Sequence, residues 1–145
     1  MNQYDALKLE NQLCFPLYAA SREVIKRYNP YLRTLDLTYT QYIAMMVFWE
    51  QDRISVKELG QKLFLDSGTL TPVLKSLEAK GYVNRRRSTE DERVVMVEIT
   101  PAGQALREQA VEIPAKVAGC VKLDAGEALE LYRILYKILE GTAER

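Results

Sequence analysis

Apolar residues recur at steps of three and four through most of the chain, and only one region reads as strand, so the pattern predicts a mainly α-helical protein with a small β element. The first helix is expected over about 13–28. It should stop near Asn29-Pro30, because the residue before a proline is pushed out of the helical region, and a short helical turn over 31–35 should follow. Thr38-x-x-Gln41 and Ser55-x-x-Glu58 are capping boxes, in which the hydroxyl and the side chain three residues later satisfy orphan amides. They open helices over 39–50 and 56–63. Asp66 or Ser67 can cap the next helix, over 68–80, where Gly68 and Pro72 fall early enough to be tolerated and Gly81 closes the end. β-Branched runs at 82–87 and 94–99 flank a polar tip, which predicts an antiparallel hairpin. Thr100-Pro101 then starts a helix with threonine as cap and proline in the first position. Asp124-x-x-Glu127 caps a last amphipathic stretch over 125–141, with Leu129, Tyr132, Leu135, Tyr136 and Leu139 on one stripe. No repeat, low-complexity tract or linker interrupts this order, so residues 1–145 read as one domain.

Composition narrows the function. At 145 residues and 48% hydrophobic, the chain can bury a real core. Twenty Lys+Arg balance twenty Asp+Glu, so any binding of a polyanion must come from uneven placement of charge. That unevenness exists: Ser67 to Arg87 carries Lys75, Lys80, Arg85, Arg86 and Arg87 against the single acid Glu78. No apolar run is long enough to span a bilayer and the N-terminus lacks a signal-peptide pattern, so a cytoplasmic protein with no membrane partner is expected. The absence of histidine excludes zinc sites built on His and Ser-His or Cys-His catalysis, and no cofactor is expected. Cys14 and Cys120 have no C-x-x-C spacing and should be free thiols in a reducing compartment.

A short helix, a brief turn, a second helix and a hairpin follow one another in the order of a winged helix-turn-helix. In that geometry the second helix enters the major groove by its N-terminal residues. Here those are Ser67, Thr69, Leu70, Thr71 and Pro72, offering hydroxyls for base edges or phosphates and apolar groups for a thymine methyl. Lys75 lies one turn further along the same helix. Arg85, Arg86, Arg87 and Arg93 can neutralise phosphates, and an arginine at the hairpin tip can enter a narrow minor groove.

The run from Leu65 to Gly103 resembles the MarR family, whose members show a recognition helix, a glycine, a basic strand and a D-x-R wing ending in L/I-T-x-x-G. In this chain the wing motif is Asp91-Glu92-Arg93, closed by Thr100 and Gly103. The resemblance implies that Arg93 reaches the minor groove and that Asp91 holds it there. It also implies a homodimer joined by helices from both ends of the chain, about 1–35 and 101–145, with the DNA-binding unit at about 39–100. Two-fold symmetry then implies a pseudopalindromic double-stranded operator with half-sites about one helical turn apart.

The stretch from Leu9 to Ala19 resembles the start of the OhrR (organic hydroperoxide resistance regulator) branch of that family, including its sensing cysteine, here Cys14. Tyrosines of the branch that hydrogen-bond the sulfur fall fourteen and twenty-five residues on, at Tyr28 and Tyr39. The resemblance implies a repressor released from DNA when an organic hydroperoxide or hypochlorite oxidises the thiol. Cys120 matches the place of a second cysteine that, in part of the branch, resolves the oxidised sulfur as a disulfide between subunits. The residues themselves add two points. Pro16 fits best in a first helical turn, which sets Cys14 at the positive end of the helix, where negative charge on sulfur is favoured. A continuous helix from Cys14 to Tyr28 separates them by roughly 21 Å, so that tyrosine must reach the sulfur from the other subunit.

Two other readings stay open on the residues alone. A MarR-like repressor can be released by a small aromatic ligand, and a two-cysteine thiol peroxidase can use Cys14 to attack peroxide and Cys120 to resolve. Against the peroxidase, the chain offers one hairpin where a thioredoxin-like sheet needs several strands.

Overall fold

The computed structural model describes residues 2–142. Two short 3-10 turns, Gln3–Leu7 and Leu9–Asn11, lead into α1, Cys14–Arg33. This helix outruns the expected stop at Asn29-Pro30 and absorbs the short turn anticipated after it. Pro30 removes one helical hydrogen bond, at about 3 kcal/mol. Continuing the helix delivers Leu32, 1% exposed, to the core, and Leu35 and Leu37 are buried directly after it. Burying each leucine is worth roughly 1.5–3 kcal/mol, so tertiary packing outweighs the local preference.

α2, Tyr39–Glu50, opens on Thr38 with both halves of its capping box formed. α3, Val56–Leu63, opens on Ser55, whose hydroxyl accepts from the Glu58 amide at 3.1 Å. α4, Ser67–Ala79, is capped by Asp66. The hairpin forms as β2, Val83–Arg87, and β3, Val95–Ile99. A third strand was not expected: β1, Arg53–Ser55, pairs antiparallel with the other edge of β3, Ile54 facing Val97, to give the order β1-β3-β2. Three residues are too few to show a two-residue period, so only the free edge of β3 makes them a strand.

Beyond the sheet, α5, Pro101–Ala110, starts on the Thr100 cap. A further helix that the sequence reading does not name, α6, Ile113–Ala118, follows as a separate element with Pro114 in its first turn. A proline there denies α5 the amide it would need to continue. α7, Ala125–Thr142, opens on a reciprocal pair of bonds between Asp124 and Glu127.

The core is built by Met45 and Phe48 of α2, Leu59 of α3, Leu70, Leu74 and Leu77 of α4, Val83 and Val97 of the hairpin, and Leu106, Ile113 and Val117 of α5 and α6. α7 sends no buried residue into it, and its stripe residues Leu129 and Tyr132 are 71% and 61% exposed. The start of α1 is as open, with Leu13, Phe15, Leu17 and Tyr18 exposed. Among the described residues no helix is long and apolar enough to cross a membrane.

Candidate nucleic-acid interface and thiol site

The turn between α3 and α4 is shaped by two backbone devices. Phe64 takes the left-handed conformation at φ 56°, and the Leu65 amide returns to the Gly60 carbonyl at 2.9 Å. A Cβ on Gly60 would meet the Leu65 carbonyl oxygen at 2.7 Å, so only glycine permits this approach. The Asp66 carboxylate then accepts the Thr69 amide at 2.7 Å and starts α4. Ser67, Thr69, Pro72 and Lys75 are exposed along the outer face of that helix, and Thr71 is half-buried with its hydroxyl donated to the Ser67 carbonyl. Leu70 corrects the sequence reading. It is fully buried and cannot touch a thymine methyl, because Leu70, Val73, Leu74 and Leu77 form the i, i+3, i+4, i+7 stripe that packs α4 on the core.

The basic strand is more engaged than its sequence suggests. Glu78 of α4 accepts the Arg85 amide at 3.0 Å and grips the Arg85 guanidinium through Nε and Nη2, locking α4 to β2. The Arg85 amide first, and its guanidinium after, hold the Glu78 carboxyl below the usual carboxylate range. Arg86 pairs with Glu98 across the hairpin, and Arg87 donates to the Glu92 carbonyl. In the sequence Glu78 stands out only as the single acid of a basic stretch, and nothing there pairs it with Arg85 or Glu98 with Arg86, because each pair joins two different elements. Arg85 is thereby a strut, and Arg86 and Arg87 are exposed cations fixed in direction.

Arg93 sits at the hairpin tip with its side chain 90% exposed. Asp91 holds it at three points: the Arg93 amide and Nε bond to Oδ1 at 3.0 and 3.1 Å, and Nη2 bonds to Oδ2 at 3.2 Å. The Arg93 side chain, then its amide, holds the Asp91 carboxyl below the ordinary range, so the clasp stays ionised at neutral pH. Asp66, Ser67, Asp91 and Arg93 line one cleft of about 1180 Å³ between the start of α4 and the hairpin. The closing Thr100 and Gly103 anchor the hairpin's base. The Thr100 hydroxyl donates to the Gly81 carbonyl and accepts the Gly103 amide, while the Gly103 carbonyl accepts Nε1 of Trp49 at 2.9 Å.

Cys14 is the first residue of α1, with Pro16 in the same turn, and its thiol is exposed. Cys120 is also a free, exposed thiol, just past the end of α6. α6 packs on α1, with Lys116 over the Tyr31 ring at 5.7 Å, so Cys120, two residues past α6, follows an element that meets α1 near its C-terminal end, whereas Cys14 opens that helix. Tyr28 and Tyr39 do come together: their rings meet edge-on at 5.0 Å, with Tyr42 closing a cluster that sequence reading missed. Burial first, and Tyr28 second, push the Tyr39 phenol up, so it remains a proton donor through the neutral range. Within one protomer the length of α1, at 1.5 Å per residue, keeps Cys14 roughly 21 Å from Tyr28.

A family model described as Transcriptional regulator SarA/Rot matches residues 26–110. The organic hydroperoxide resistance transcriptional regulator of Bacillus subtilis (strain 168) is 48% identical over 139 residues, 96% of this chain and 95% of that protein. The chain belongs to the MarR family, in the branch of that regulator. Solved structures of other MarR-type regulators share its fold. Reduced AbfR bound to DNA matches with a TM-score of 0.79 at 32% identity, over 99% of this chain and 100% of that one. Disulfide-formed AbfR matches at 0.67 and 30%, over 98% and 97%. A mutant MarR from E. coli complexed with operator DNA matches at 0.77 and 25%, over 96% and 99%. This MarR-family chain therefore carries the winged helix-turn-helix that its order of elements predicts.

Proposed function

We propose that the chain is a homodimeric repressor that holds a pseudopalindromic operator while Cys14 is reduced and lets go when an organic hydroperoxide or hypochlorite oxidises it. The observation that carries the DNA half is the clasped Arg93, presented beside the exposed start of α4 on one cleft. Its direction is set before DNA arrives, so little side-chain freedom is lost on binding. Ser67, Thr69, Thr71 and Pro72 meet bases and phosphates in the major groove, Lys75, Arg86 and Arg87 flank the backbone, and Arg93 enters the minor groove. The redox half draws support from AbfR, seen both reduced on DNA and with its disulfide formed.

The open apolar faces of α7 and of the start of α1 are what a second copy covers. An antiparallel arrangement brings Cys14 of one protomer to the Tyr28, Tyr39 and Cys120 end of the other. The thiolate attacks the peroxide oxygen, the O–O bond breaks, an alcohol leaves and sulfur becomes a sulfenic acid. The Cys120 thiol of the other subunit then displaces water, forming an intersubunit disulfide.

A gel-shift titration with and without cumene hydroperoxide tests the whole scheme; operator binding indifferent to peroxide sinks the redox half. Arg93→Ala is expected to weaken operator binding by about 1–3 kcal/mol and to flatten the slope of log K against log salt by about 0.9. An unaltered slope removes Arg93 from the groove. For Cys120, peroxide should produce a reductant-sensitive dimer on denaturing gels in the parent and none in Cys120→Ser. Persistence of that dimer in the variant eliminates Cys120 as the resolving thiol.

A further inference from the structure

Gln41 is 7% exposed, one of two buried polar residues among those described, and it sits in the first turn of α2, two residues after Tyr39. Its amide is used on three sides. Oε1 accepts the Thr38 amide at 3.1 Å and Lys80 Nζ at 3.0 Å, while Nε2 donates to Ser76 Oγ at 2.9 Å. Lys80, at the end of α4, also donates to the Asp36 carbonyl and lies 3.7 Å from the Asp36 carboxylate. Asp36 occupies the turn between α1 and α2 in the left-handed conformation, at φ 54°. One side chain thus ties that turn and the first turn of α2 to the C-terminal half of α4.

A helix cap needs only Oε1 of this glutamine. The bond to Ser76, 35 residues away, is an addition that capping does not explain. Tyr28 and Tyr39 flank the same α1–α2 turn from its two sides. We propose that Gln41 is a positioning residue that couples the Tyr28–Tyr39 pair, where the oxidised thiol is read, to the tilt of α4 on DNA. The inference rests on the redox function proposed above. Its physical basis is directionality. The remaining buried residues of α2 and α4 are apolar or aromatic and can slide over one another, whereas a buried amide leaves donors or acceptors unsatisfied when its partners move apart. If Tyr39 and the first turn of α2 shift, Gln41 keeps Thr38, Lys80 and Ser76 together only when α4 moves with it.

The test uses the full-length protein and compares Gln41→Met, Ser76→Ala and Gln41→Glu with the parent. Three quantities are measured: operator affinity when reduced, operator affinity after cumene hydroperoxide, and the rate of thiol loss. Gln41→Met and Ser76→Ala should react with peroxide at the parent rate and bind operator normally when reduced. They should lose less affinity on oxidation, the reduced-to-oxidised ratio shrinking by about tenfold, within the usual span of allosteric couplings. Gln41→Glu, which still accepts from Thr38 and Lys80 and can take the Ser76 hydroxyl proton in a reversed bond where the parent amide donates, should keep most of the parent ratio. A parent-like ratio in both Gln41→Met and Ser76→Ala overturns the inference, as does a slowed thiol reaction with an unchanged ratio. Should Gln41→Met lose its helical signal, Ser76→Ala, at a half-buried position, decides alone. A parent whose binding ignores peroxide overturns the proposed function itself and leaves the coupling no signal to carry.

Discussion

Cys14→Ser should bind operator about as tightly as the parent, within the roughly twofold change that ±0.5 kcal/mol permits, and should keep that binding at peroxide concentrations that release the parent completely. Serine preserves the size of the side chain and leaves the first turn of α1 and Pro16 undisturbed. What it removes is the sulfur at this position that a peroxide oxygen can oxidise, because a hydroxyl offers no lone pair of comparable nucleophilicity and cannot become a sulfenic acid. Cys120 remains in this variant as an exposed thiol, so residual sensitivity would be assigned to it by combining the two substitutions. Gel-shift titrations of the reduced and cumene hydroperoxide-treated proteins read the result directly. Equal release of the parent, Cys14→Ser and the doubly substituted chain would remove the redox switch from this chain and leave release by a small aromatic ligand as the reading to pursue.

The second large effect is on stability. Gly103→Ala is expected to destabilise the fold by about 3 kcal/mol, the upper range for forcing extra atoms into a packed interior. A Cβ there would sit 2.3 Å from the Tyr82 carbonyl oxygen and 2.7 Å from Ile99. The first of these is backbone at the root of β2, so no rotamer change relieves it. The same residue also accepts the Trp49 indole N–H, so displacing it disturbs the bridge from α2 to the base of the hairpin. Thermal unfolding followed by circular dichroism should show a fall of the order of 10 °C for a domain of this size, and Trp49 fluorescence should change before global unfolding. A melting temperature within about 2 °C of the parent would mean that β2 gives way cheaply and that the glycine is not required by packing.

Much of the DNA-binding unit was legible because its determinants are local. Asp66, Thr38 and Thr100 each bond an amide three residues away, and Asp91 clasps Arg93 two residues on. Such bonds form wherever those residues stand at that spacing, whatever surrounds them. The hairpin followed from its β-branched runs, and the last helix from its cap and stripe. Leu70 was misplaced for an instructive reason: at a helix start, the residue that opens the buried stripe and those that face solvent are neighbours in sequence. Only the burial of Val73, Leu74 and Leu77 settles which side Leu70 joins.

On its own, then, the chain fixed where most of its helices begin, where its hairpin turns, and which wing arginine has a carboxylate beside it. The folded form alone determined that Pro30 lies inside a helix, that Arg53–Ser55 is a strand, that Arg85 is a strut to Glu78, and that Gln41 joins α2 to α4. The division has a physical cause. Interactions spanning a few residues depend on backbone geometry that the sequence sets directly, whereas those spanning tens of residues exist only once the core has brought the elements together and made an unpaired polar group costly.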